Sequence, residues 1–77
     1  MEEKLREVFA RALDIPEEMV KDELEFNSIP QWDSIGHLGL IAALDEAFGI
    51  MIETEDVIDM SSFKKAKEIL AKYGVQV

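Results

Sequence analysis

The sequence predicts an all-α domain, a small four-helix bundle built from three longer helices and one short one. Apolar residues recur at helical spacing in three separate stretches, and no alternating apolar and polar run is long enough for a convincing strand. Length bounds the rest. A chain of 77 residues makes one domain, residues 1–77, which buries roughly 60% of its unfolded surface and has no room for an enclosed catalytic site.

The first helix is expected over residues 2–13, where Leu5, Val8, Phe9, Ala12 and Leu13 share one face. Glu2 and Glu3 suit the positive end of its dipole, and Ile15-Pro16 ends it because a residue before proline is driven out of the helical region. Residues 14–33 form a long connection with Ile15, Met19, Val20, Leu24, Phe26 and Ile29 spaced along it. Such a length predicts a packed, ordered loop with one helical turn at Pro16–Val20.

The second helix is predicted from Ser34 to Phe48, capped by Asp33 and stopped by Gly49, with Leu38, Leu40, Ile41, Leu44 and Phe48 turned inward. Gly36 and Gly39 each cost it roughly 1 kcal/mol relative to alanine. That cost predicts helix packing at Gly39 and room beside Ser34 at Gly36. Ile50-Met51-Ile52 reads as an extended link, and Thr54 as the cap of a short helix reaching Ile58. The last helix begins at Ser61 or Ser62, buries Phe63, Ala66, Ile69, Leu70 and Tyr73, and ends at Lys72 and Gly74. Met19, Met51 and Met60 read as core or gap-filling residues.

The absence of cysteine excludes disulfides and thiolate metal sites and is compatible with a reducing cytoplasm. No apolar stretch approaches the ~20 residues that span a bilayer, and the start of the sequence is acidic, so a soluble, unexported, cytoplasmic protein is expected. The net charge of −9 is uneven: residues 14–59 hold thirteen carboxylates against Lys21 alone. This field repels nucleic acid and anionic membranes and steers basic protein surfaces toward the middle of the chain.

The segment that carries chemistry is Trp32-Asp33-Ser34-Ile35-Gly36-His37-Leu38, which sets one hydroxyl at a helix N-terminus. Nothing here activates Ser34 from within. His37, three positions on, has no orienting partner in the sequence, and one exposed helix end offers no water-free oxyanion hole. His37 also lacks His or Cys companions for a metal, and Glu53, Glu55, Asp56 and Asp59 lack calcium-loop spacing, so no metal site is expected. An exposed hydroxyl is nevertheless open to an enzyme that brings its own base and metal. A phosphodiester formed there would meet free amide hydrogens and the positive end of the helix dipole.

These residues resemble the acyl carrier protein family. The resemblance covers nearly the whole chain: the loop ending in Asp33-Ser34, the second helix closing with Leu44-Asp45-Glu46-Ala47-Phe48-Gly49-Ile50, and the Ile52-Glu53 step into a short acidic helix. Ile35 stands where Leu or Met is commoner, and Trp32-Asp33-Ser34 with His37 looks more like stand-alone carriers of specialised pathways than like fatty acid synthesis carriers. The resemblance implies a 4'-phosphopantetheine arm on Ser34, installed from coenzyme A by a Mg²⁺-dependent phosphopantetheinyl transferase that also recognises Asp33. It implies a non-catalytic monomer that presents an acyl thioester to an acyl ligase or synthase and an acyltransferase with basic surfaces. Ile35, Ala42, Asp45, Glu46, Glu53, Glu55 and Asp56 would form the partner surface, and Leu38, Ile52, Ile58 and Met60 an acyl cavity between the second and third helices. A D-alanyl or peptidyl carrier is the related alternative. An unmodified acidic adaptor acting by protein binding alone is the alternative from another class.

Overall fold

The computed structural model describes residues 2–76, and these form four α-helices: α1 (Glu2–Leu13), α2 (Ser34–Phe48), α3 (Thr54–Asp59) and α4 (Phe63–Lys72). Among the described residues there is no strand, only an isolated antiparallel bridge between Glu25 and Ser62. The expected bundle is therefore what the chain adopts. Leu5, Phe9 and Leu13 of α1 meet Leu40, Ile41 and Leu44 of α2 and Phe63, Ala66, Ile69 and Leu70 of α4 in one core. At its centre the Phe9 ring lies edge-on to both Trp32 (5.5 Å) and Phe63 (5.0 Å), an arrangement that adds to simple area burial.

The connection between α1 and α2 is packed, as its apolar residues predicted: Ile15, Val20, Leu24 and Trp32 are buried. Its helical turn is a single 3₁₀ turn at Glu17–Met19. Arg6 Nε donates to the Val20 carbonyl (3.1 Å), which fixes that turn against α1. Further along, the Phe26 amide donates to the Ser61 carbonyl and the Phe63 amide to the Leu24 carbonyl (both 2.9 Å), so the loop is paired to the start of α4. Lys67 reinforces the same seam from α4, reaching Asp22 (2.6 Å) and Glu2 (3.2 Å). The Asp22 hydrogen bond is the chief cause of its raised pKa.

Four expectations need correction. Leu38 is exposed at 66%, because it lies about 200° around the helix from Leu40 at 100° per residue. His37 takes the inward position instead, one turn before Leu40 and Ile41. Met51 (83%) and Met19 (39%) are exposed rather than gap-filling, and only Met60 is in the core. Thr54 is the first residue of α3 rather than its cap; Glu53 occupies the cap position without a side-chain bond, and its amide donates instead to the Tyr73 hydroxyl (2.9 Å). Gly39 has open space where a Cβ would go, so no helix packs there.

Candidate functional site

The site begins with how the chain enters α2. Asn27 adopts a left-handed conformation (φ 68°) and its amide donates to the Trp32 carbonyl (2.8 Å), closing a small loop over residues 27–32. Asp33 then turns extended, and its Oδ1 accepts the Gly36 amide at 2.8 Å, capping α2 as predicted. Gly36 is required for a different reason from the one its sequence context suggested. A Cβ at this position would lie 2.2 Å from the Gln31 carbonyl oxygen, so the loop backbone is pressed against the first turn.

Ser34 is the first residue of α2 and is exposed. The amides of Ser34 and Ile35 have no intrahelical acceptor, as in any first helical turn. Two other serines are occupied: the Ser28 hydroxyl donates to the Glu25 carbonyl (2.6 Å), and the Ser62 hydroxyl accepts the Lys65 amide as the cap of α4 (2.9 Å). The Ser34 hydroxyl is not held by another side chain, and it meets solvent where an anion is electrostatically favoured.

Around it, α2 carries two apolar stripes. Leu40, Ile41 and Leu44 face the core, whereas Ile35 (81% exposed), Leu38 and Ala42 recur at i, i+3 and i+7 on the outer side. A helix that is apolar on both sides while only one is buried leaves an open contact surface. Ile58 of α3, also exposed, is a further apolar residue outside the core.

The acidic residues expected on this surface divide by role. Glu53 and Glu55 are exposed, and Glu46 with Ala42 borders a groove between α1 and α2 that includes Val8, Arg11 and Ala12. Asp45 is half-buried, and its Oδ1 accepts the Ile52 amide (3.1 Å), fixing the link after α2. Asp56 is buried, bonded to Lys72 Nζ and to the Tyr73 hydroxyl, each at 2.6 Å. The Lys72 bond first, and the Tyr73 bond next, hold its carboxyl below the ordinary aspartate range. Asp45 and Asp56 therefore both hold the fold, Asp45 through one carboxylate oxygen and Asp56 through both.

Beneath α3 lies an apolar cleft of about 260 Å³ lined by Phe26, His37, Val57, Ile58, Met60 and Ser61. Ile58 and Met60 were expected at such a cavity. Leu38 and Ile52 are not among its walls: Leu38 points outward, and Ile52 is buried in the core. Sequence reasoning missed His37 here. Its Nδ1 accepts from Trp32 Nε1 (2.9 Å), and its Nε2 is 2.7 Å from the Val57 carbonyl. The one available signal was its register, one turn before the buried pair Leu40 and Ile41.

The family model for the phosphopantetheine attachment site matches residues 3–70, nearly the whole fold just described. The chain belongs to the phosphopantetheine-binding carrier family. No curated protein sequence is significantly similar to it. Members of this family are non-catalytic carriers, modified by a phosphopantetheinyl transferase with a 4'-phosphopantetheine group linked covalently to a serine, and they work by meeting partner enzymes. An exposed serine at a helix N-terminus, beside an apolar outer stripe, fits a carrier's requirements. No helix among the described residues of this carrier is long and apolar enough to cross a membrane.

Proposed function

We propose that this carrier bears its arm on Ser34 and presents acyl groups, as a cytoplasmic monomer, to the enzymes of a specialised pathway. The observation that carries this reading is the exposed Ser34 hydroxyl at the N-terminus of α2, ahead of the cleft beneath α3. When attached, the arm supplies a terminal thiol for a thioester. Asp33 caps the first turn and so fixes the direction of the Ser34 Cβ, while Gly36 lets the Gln31 carbonyl close under it. The Ser34 and Ile35 amides favour the phosphate that links the arm.

Cargo and partners follow from the surroundings. Phe26, Val57, Ile58 and Met60 give the cleft apolar walls, which suit an aliphatic acyl chain better than the ammonium group of an aminoacyl cargo. Ile35 and Leu38, exposed on α2, and Glu53 and Glu55, exposed at the start of α3 in the acidic part of the chain, suit a partner enzyme with an apolar contact ringed by basic residues. Such partners include an acyl ligase or synthase and an acyltransferase.

The test is intact-protein mass after incubation with coenzyme A, Mg²⁺ and a broad-specificity phosphopantetheinyl transferase. One phosphopantetheine increment is expected on the native chain and none on Ser34→Ala. An increment that persists in Ser34→Ala would move the site to another serine, and no increment on folded native protein would favour an adaptor that acts by binding alone.

A further inference from the structure

His37 differs from every other wall of the cleft in that both ring nitrogens are committed. The Trp32 indole can only donate, so Nδ1 must be the acceptor and Nε2 carries the hydrogen given to the Val57 carbonyl. That carbonyl belongs to the last turn of α3, where no amide four residues on lies within the helix. One side chain of α2 thereby satisfies the open end of α3. The imidazole lies side by side with Trp32, nearly coplanar with it (21° between planes, centroids 6.1 Å apart), and meets the Phe26 ring edge-on at 5.3 Å. Rotating the ring would set carbon against both polar partners at once.

Two of the other walls are compliant by comparison. Met60, although buried in the core, has an unbranched side chain that can change rotamer, and Ile58 is exposed at 78% at the solvent side. A chain entering past Ile58 can displace these residues, whereas displacing His37 breaks two hydrogen bonds and unseats α3. We propose that His37 is the positioning residue that sets the length of acyl chain this carrier shelters, by tying α3 to α2 at the wall of the cleft. The inference rests on the carrier reading above. A cleft of about 260 Å³ has room for roughly eight groups the size of a water molecule at ~30 Å³ each, and a methylene is of similar size. The ceiling therefore falls at about octanoyl, with longer chains left in solvent beyond it.

The experiment uses the modified protein loaded with acetyl, butyryl, hexanoyl, octanoyl, decanoyl and dodecanoyl groups, and reads the rate at which hydroxylamine cleaves each thioester. On the native chain, protection should grow by up to roughly fourfold per methylene buried and then level off at about octanoyl. In His37→Ala it should keep rising through dodecanoyl, and in His37→Gln, which retains an amide donor for the Val57 carbonyl, the native ceiling should return. A native ceiling in folded His37→Ala, or no dependence on chain length in the native protein, overturns the proposal. Should His37→Ala not fold, the native protein decides alone: the Trp32 indole and His37 ring N–H resonances must hold their positions up to the ceiling and shift beyond it. Resonances indifferent to every chain length would overturn the assignment. Failure to take up the arm at all would sink the carrier reading instead, before any cargo is loaded.

Discussion

The Tyr73 hydroxyl donates to the Asp56 carboxylate at 2.6 Å and accepts the Glu53 amide at 2.9 Å, so one phenol from the end of α4 holds both the cap and the buried acid of α3. Lys72 completes the clasp from the other carboxylate oxygen. A six-residue helix is too short to persist alone in water; α3 depends on these ties and on His37.

The clasp makes stability depend on pH at both ends. The folded pKa of Asp56 is lowered, so its contribution is complete above the unfolded value of about 4 and is lost as pH falls through the lowered one. The folded pKa values of Lys72 and Tyr73 are raised, chiefly by their hydrogen bonds to Asp56. Their contribution is complete below about pH 10 and is lost as pH rises through the raised values. Melting temperature measured against pH should show a neutral plateau with acid and alkaline flanks. In Asp56→Asn the plateau should drop and the part of both flanks due to the clasp should vanish.

Two glycines in one helix should respond in opposite directions. Gly39→Ala adds a methyl into open space and should stabilise the protein by about 1 kcal/mol through helix propensity. Gly36→Ala drives a Cβ into the Gln31 carbonyl and should destabilise it by about 1–3 kcal/mol despite the same propensity gain. Urea unfolding of the two variants beside the native chain reads both signs.

Leu38→Ala and Leu44→Ala separate the two stripes of α2. Leu44 is fully buried, and its truncation should cost about 2–5 kcal/mol. Leu38 is on the surface, so its truncation should change stability by no more than about 0.5 kcal/mol. The same variant should weaken engagement by a partner enzyme, seen as a raised KM for the modified protein at unchanged melting temperature.

Asp33→Ala removes the side-chain acceptor for the Gly36 amide and should cost about 1 kcal/mol. Asp33→Asn keeps an acceptor and should recover most of it. Chemical denaturation of the two variants tests the cap apart from any effect on modification.

Much of this fold was legible in the sequence because its signals are local. The periodicity of Leu5, Phe9 and Leu13, the cap at Asp33 and the stops at Gly49 and Gly74 are decided by residues within a few positions of one another. The candidate serine was legible for the same reason. What escaped was decided by distant partners. Leu38 and His37 are adjacent, and apolarity alone favoured turning Leu38 inward. His37 lies inside because Trp32, Phe26 and Val57 offer it a donor, a ring and an acceptor, and Val57 is twenty residues away. Asp56 likewise reads as one more surface charge until Lys72 and Tyr73 are brought to it by the packing of α4.

The pairing of residues 24–26 with residues 61–63 has a consequence for the order in which the molecule is completed. The loop that presents Ser34 finds its hydrogen-bond partners some forty positions later, at the start of α4. On a ribosome, α1 and α2 emerge before those partners do, and until residues 61–63 are available the loop has α1 to pack against but lacks the backbone bonds that close it onto α4. The setting of Ser34 seen in the complete bundle is therefore reached only once α4 has been made and closed onto the loop.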